Sequence, residues 1–222
     1  MNGAWNYSGT FAPDEIASLF GIAGLTGNTT ATAPLSNSLS GVTVSITDSS
    51  GAVSQALLYG VYASKGQINL LLPDGIADGL GVLTITLPGG GSITTVVTIV
   101  ESAPGIFTTD MNGQGVFAGQ VLYVQQDGSQ TVAGSSGPVT LTAGDQVFLV
   151  LYGTGLRHAN SVTATANGVS VPVIYHGAQG SYDGLDQINL GPLPASLAGA
   201  GAVKLVITAD GKAANPVTLN IQ

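Results

Sequence analysis

Short runs in which apolar and polar residues alternate, cut by Gly, Asp, Asn and Pro, fill almost the whole chain. Alternation puts every second side chain on one face of a strand, and helical periodicity is almost absent, so the pattern predicts an all-β fold. In the first half it predicts strands near 5–11, 15–20, 42–47, 53–59, 67–72, 82–87 and 93–100. Within Val82-Leu83-Thr84-Ile85-Thr86-Leu87 the residues Leu83, Ile85 and Leu87 share a face. Turns fall at Asp48-Ser49-Ser50-Gly51 and Pro88-Gly89-Gly90-Gly91, where glycine adopts positive φ without steric cost.

The second half repeats the first. Gly66-Gln67-Ile68-Asn69-Leu70 returns as Asp186-Gln187-Ile188-Asn189-Leu190, and Phe20-Gly21-Ile22-Ala23-Gly24-Leu25 as Tyr152-Gly153-Thr154-Gly155-Leu156. Val42-Thr43-Val44 matches Val162-Thr163-Ala164, and Leu57-Leu58-Tyr59 matches Val173-Ile174-Tyr175, in the same order. The expectation is two tandem immunoglobulin-like β-sandwich lobes, 1–101 and 138–222, joined by a structured connection over 102–137. Gln126-Asp127-Gly128-Ser129 inside that connection lies between alternating runs and predicts a hairpin with a type I′ turn. The run Val147-Phe148-Leu149-Val150-Leu151-Tyr152 is apolar on both faces, which calls for cover on both.

Charge sharpens the picture. Only 7% of the 222 residues are charged, against roughly 25% in ordinary soluble domains, and Gly, Ser, Thr, Asn and Gln solvate the surface instead. Charge is the main defence against edge-to-edge association of strands, so a β protein without it is built to tolerate or to make such contacts. The net charge of −8 and only four cationic side chains, Lys65, Arg157, Lys204 and Lys212, argue against nucleic acid. There is no cysteine, and no apolar stretch is long enough to span a membrane as a helix.

An ordered set of short stretches gives the chain a family likeness. Phe11-Ala12-Pro13-Asp14-Glu15-Ile16-Ala17-Ser18-Leu19-Phe20-Gly21, Gly66-Gln67-Ile68-Asn69, Ser102-Ala103-Pro104-Gly105-Ile106-Phe107, Gln126-Asp127-Gly128-Ser129, Leu151-Tyr152-Gly153-Thr154-Gly155-Leu156 and Asp186-Gln187-Ile188-Asn189 span nearly all of it. In these the chain resembles the two-lobed, immunoglobulin-like C-terminal domain that recurs in large secreted acidobacterial proteins, whose function is unassigned. The resemblance implies export, an extracellular or cell-surface location and no catalytic residues.

The candidate chemistry is sparse. The histidines are His158 and His176, expected in solvated loops, and the nearest approach to a hydrolase elbow, Gly168-Val169-Ser170-Val171-Pro172, ends in Pro on a strand. No catalytic, cofactor or metal residue is assigned. Asp183 and Asp186 could offer oxygens to calcium, but the first lobe has Ser64-Lys65-Gly66 in their place, and a tight turn explains them as well. Lys204, between Val203 and Leu205, points outward and is no candidate for an isopeptide bond. Asn6-Tyr7-Ser8 and Asn28-Thr29-Thr30 match the glycosylation acceptor pattern.

Two polar and apolar features remain. In Gln67-Ile68-Asn69 and Gln187-Ile188-Asn189 the Ile faces inward and the amides outward, either to bind a sugar or a neighbouring chain, or to satisfy nearby loop backbone. Trp5, Tyr7 and Phe11 share one parity, and with Phe148 and Val150 they form a candidate interface for β-strand addition. Head-to-tail contact of that kind does not close and builds a filament. The leading expectation is therefore a structural subunit of a surface filament, stalk or adhesin, partnered by copies of itself or by other surface proteins. The alternative is a glycan-binding accessory module, whose aromatic platform would draw on Trp5, Tyr59, Tyr62, Tyr123, Tyr152, Tyr175 and Tyr182.

Overall fold

A computed structural model describes Met1, Gly3, Ala4 and residues 9–222; Trp5 and Tyr7 lie outside the described residues. Within that range there is no α-helix, only the 3₁₀ turns Ala63–Lys65 and Ala195–Leu197, and the strands form four sheets. The first sheet runs Thr10–Phe11, Ser92–Ile99, Gly79–Thr86, Val42–Thr47, Ser38–Leu39, with Val53–Gln55 also on Val42–Thr47. The second runs Ile16–Leu19, Gln67–Leu71, Leu57–Tyr62, Asn28–Thr30. Between these two lies one core cluster, from Phe11 to Ile99.

The third sheet runs Gln130–Gly134, Gly119–Val124, Gln146–Thr154, Asp186–Leu190, Val173–Ala178, and Gly105–Ile106 also pairs with Gln146–Thr154. The fourth runs Val169–Val171, Val162–Ala166, Gly201–Ala209, Lys212–Ala213, with Val217–Ile221 on Gly201–Ala209. They enclose a separate cluster, from Ile106 to Ile221. Alternation explains both cores: along Val42–Thr47, Val42, Val44 and Ile46 are fully buried while Thr43, Ser45 and Thr47 face outward.

The internal repeat is a repeat of topology. Ile16–Leu19, Gln67–Leu71 and Leu57–Tyr62 in one half correspond to Gln146–Thr154, Asp186–Leu190 and Val173–Ala178 in the other. Each last pair carries a bulge at the same step, with Tyr59 and Ile174 as the extra residues. That register pairs Leu58 with Val173 and Gly60 with Tyr175, one residue off the match expected from sequence, because hydrogen-bond register and not residue likeness sets equivalence.

Three further expectations are corrected. The single strand over 53–59 is two: after Val53–Gln55 the chain leaves the first sheet at Ala56 and enters the second as Leu57–Tyr62. Pro172 marks the same crossing in the other half, where its missing N–H ends the ladder. The hairpin within 102–137 does not stand apart, since Gly119–Val124 pairs with Gln146–Thr154 and Ile106, Phe117 and Val121 belong to the second core. Its turn is not type I′: Gly128 alone has positive φ, and its N–H donates to the Gln125 carbonyl, which fits a three-residue loop ending in a bulge.

Candidate functional site: a groove lined by aromatic rings and an amide pair

The outward face of the second sheet forms one wall of a groove. Ser18 pairs with Asn69, and Gln67 with Tyr62, so these side chains share the face that alternation turns away from the core. The segment from Phe107 to Ala118 forms the opposite wall. Buried Asn215 shapes that wall: Ile106 N–H donates to its Oδ1 at 2.8 Å, and its amide donates to the carbonyls of Ile106 and Gly113, each at 2.9 Å. Gly113 N–H also donates to Thr108 Oγ1 at 3.1 Å.

The groove encloses about 870 Å³, and among the described residues Lys65 and Asp110 are the only charged ones on its lining. It continues into a more apolar space of about 410 Å³ lined by Tyr59, Tyr62, Phe107 and Tyr182, and Ile16, Asn69 and Phe107 border both. Aromatic rings thus mark it from end to end, from Phe20, 47% exposed, to Tyr182, 71% exposed. The bulge aims Tyr59 out of the ladder. Its hydroxyl donates to the Asp183 carbonyl, and burial beside Asp183 holds it above its ordinary pKa.

Gln67 Nε2 donates to Asn69 Oδ1 at 2.7 Å, and Ser18 Oγ donates to the same oxygen at 2.9 Å. Among the described residues neither amide bonds loop backbone. The Gln67 carbonyl and the Asn69 NH₂ have no protein partner among the described residues and face the groove. Gln187 Nε2 repeats the bond to Asn189 Oδ1 at 2.9 Å, but that pair lies outside both volumes.

A polar junction fixes the two walls to each other. Thr154 Oγ1 accepts from Ile16 N–H at 2.8 Å and donates to the Gly184 carbonyl at 2.9 Å. Asp186, fully buried, accepts from Leu156 N–H at 2.7 Å, Arg157 N–H at 3.1 Å and Arg157 Nε at 2.6 Å. Burial pushes its carboxyl up from the ordinary value, and the Leu156 amide and the guanidinium pull against that. Glu15, also fully buried, accepts from Ala12 N–H at 2.8 Å through Oε2, while Oε1 has no hydrogen-bond partner among the described residues. Desolvation raises its pKa well above the ordinary value.

The remaining candidates fall as follows. Phe11 is 2% exposed and belongs to the first core; its strand pairs in parallel with Ser92–Ile99 of the same chain, so it offers no interface. Phe148 and Val150 are half-buried on the outward face of Gln146–Thr154. That strand is central, paired on both sides, and has no free edge to which another strand could add. His158 does lie in a turn after Gln146–Thr154, its side chain 35% exposed and Nε2 3.0 Å from Asp14 Oδ2, whereas His176 is not a loop residue but sits half-buried in the strand Val173–Ala178. Asp183 and Asp186 serve the Tyr59 and Arg157 contacts above. Of the seven candidate rings, Tyr59, Tyr62 and Tyr182 converge on the groove, and Tyr123, Tyr152 and Tyr175 lie in the third sheet. Sequence reasoning missed Phe107, Asn215 and Thr154.

No family model and no curated protein matches the chain. Among solved structures, the Bacteroides ovatus surface glycan-binding protein SGBP-B of a mixed-linkage glucan utilization locus, in complex with a mixed-linkage heptasaccharide, is similar over all of this chain and 46% of its own length. The identity is 12% and the TM-score 0.34. The chain spans less than half of that protein, and a likeness at that score carries neither a fold nor a ligand across.

Proposed function

We propose that this chain is an exported, non-catalytic binding module of two immunoglobulin-like sandwiches whose groove holds an uncharged carbohydrate chain. The observation that carries the reading is the meeting of Tyr59, Tyr62, Phe107 and Tyr182 with the Gln67–Asn69 amide pair in one open groove. A sugar ring offers an apolar C–H face and a rim of hydroxyls. An aromatic face packs on the first, and a planar amide with an acceptor and donors to spare takes the second. The charges of Lys65 and Asp110 offset one another, and a chain of net charge −8 repels polyanions, which favours a neutral ligand.

Titration calorimetry against a panel of neutral oligosaccharides tests this. Tyr182→Ala and Tyr62→Ala each weaken binding by about tenfold, the loss of about 1.4 kcal/mol of stacking. A panel without a ligand, or affinities that both variants leave unchanged, ends the proposal.

Self-assembly at a cell surface is the second reading, and one face favours it. On the outward side of the first sheet Val53, Thr47, Val82 and Val96 lie in register across four strands. Val53, Val82 and Val96 are 64%, 39% and 65% exposed, and Leu80 beside them 69%. Sedimentation velocity of the wild type and Val96→Lys decides it, a concentration-independent monomer counting against assembly.

A further inference from the structure

We propose that Asp14, Asp74 and His158 bind a first-row divalent cation, zinc being the ion their chemistry suits, and that this ion fastens the two halves of the chain together. One ligand atom from each of the three lies within 4.8 Å of the other two. Zinc bonds of about 2.0–2.2 Å in tetrahedral geometry put ligand atoms roughly 3.3–3.6 Å apart, so small rotamer changes complete the set. The closest pair, His158 Nε2 and Asp14 Oδ2, stands at 3.0 Å already.

The charge balance points the same way. Two carboxylates converge here, and the neighbouring guanidinium makes only a long ion pair with one of them. Arg157 Nε donates to Asp186 Oδ1 at 2.6 Å and its Nη2 to the Leu185 carbonyl at 3.1 Å, while Nη1 comes no nearer to Asp14 Oδ2 than 3.9 Å. Asp74 is exposed and makes no hydrogen bond among the described residues. A divalent ion cancels the paired negative charge, and the partial exposure of Asp14 and His158, 22% and 35% of their side chains, leaves it a way in.

The donor set selects among ions. Calcium takes six to eight oxygens and magnesium a near-octahedral oxygen shell, whereas two carboxylates and an imidazole with a fourth position for water suit zinc. Binding replaces the His158–Asp14 hydrogen bond: Nε2 gives its lone pair to the metal and the ring proton resides on Nδ1. Asp14 precedes Ile16–Leu19 and Asp74 follows Gln67–Leu71, both in the first half, while His158 follows Gln146–Thr154 in the second. The site is independent of the groove.

Chelator-treated protein titrated with zinc chloride by calorimetry, with thermal unfolding in parallel, is the experiment. Wild type takes up one zinc per chain with micromolar or tighter affinity and a raised Tm, and calcium chloride leaves Tm unchanged. Asp74→Asn, which removes no hydrogen bond, keeps the metal-free Tm but weakens zinc binding by at least about tenfold, and His158→Ala, which also removes the contact with Asp14, weakens zinc binding by as much. Absence of micromolar binding, or zinc affinities that both substitutions leave within about twofold of wild type, overturns the site.

Discussion

Thr154→Val tests whether one hydroxyl holds the groove walls together. The hydroxyl is fully buried and bonds on both sides, to Ile16 N–H in the first half and to the Gly184 carbonyl in the second. Valine keeps the shape and removes both bonds. The Gly184 carbonyl then stays buried without its donor and the half-buried Ile16 amide loses its acceptor, and an orphaned buried group costs about 1–3 kcal/mol. With partial relaxation the loss comes to about 2–4 kcal/mol. Thr154→Ser, which keeps the oxygen and drops a methyl, costs only about 1 kcal/mol. Urea unfolding of the three proteins measures these values. The serine variant separates lost hydrogen bonding from lost packing. A valine variant within about 0.5 kcal/mol of wild type, or a serine variant equally destabilised, would refute the junction as described.

Further outcomes follow from the same geometry. Burial raises the Glu15 pKa, so the folded state prefers the protonated acid. Its stabilising effect is complete below the ordinary carboxyl range and is lost as pH rises through the folded-state value, by up to about 1.4 kcal/mol per pH unit. Glu15→Gln flattens that slope in urea midpoints between about pH 5 and 7, and parallel slopes would contradict it. Asp48 shows the opposite sign: the Ala77 N–H, the Ser50 hydroxyl and two further amides hold its pKa at about 2, so its contribution disappears as pH falls from the ordinary value of 3.8 towards that point. Asp48→Asn should therefore blunt acid unfolding, read by circular dichroism. Phe11→Ala empties a fully enclosed core position and costs about 3–5 kcal/mol, where an interface residue would cost folding nothing. Gly155→Ala places a Cβ 2.3 Å from the Ala103 carbonyl at φ +72°, and a thermal melt should fall in proportion to at least about 1–2 kcal/mol.

Much of the candidate site had a visible signature. The amide motif and Tyr59, Tyr62 and Tyr182 are polar or aromatic residues at outward strand positions or in loops, which alternation and turn chemistry expose. Phe107, Asn215 and Thr154 had none. Asn215 bonds Ile106 across 109 residues and Thr154 bonds Ile16 across 138, and no local pattern encodes a partner so distant. The Asp14–His158 contact, 144 residues apart, escaped for the same reason.

The chain's own order of residues was enough for the all-β class, the duplication and most strands, because the two-residue period of a pleated strand is a local property. Val42–Thr47 falls where alternation puts it, with the apolar parity inside. Which strand neighbours which, where the chain changes sheet, and which face stays open depend on pairings between distant segments. The bulges at Tyr59 and Ile174, the crossing at Ala56 and the inward turn of Phe11 are of that kind. Alternation fixes that two faces exist. Only the packing of four sheets into two cores decides that one face of the second sheet, carrying Gln67 and Asn69, meets the segment from Phe107 to Ala118 across a groove.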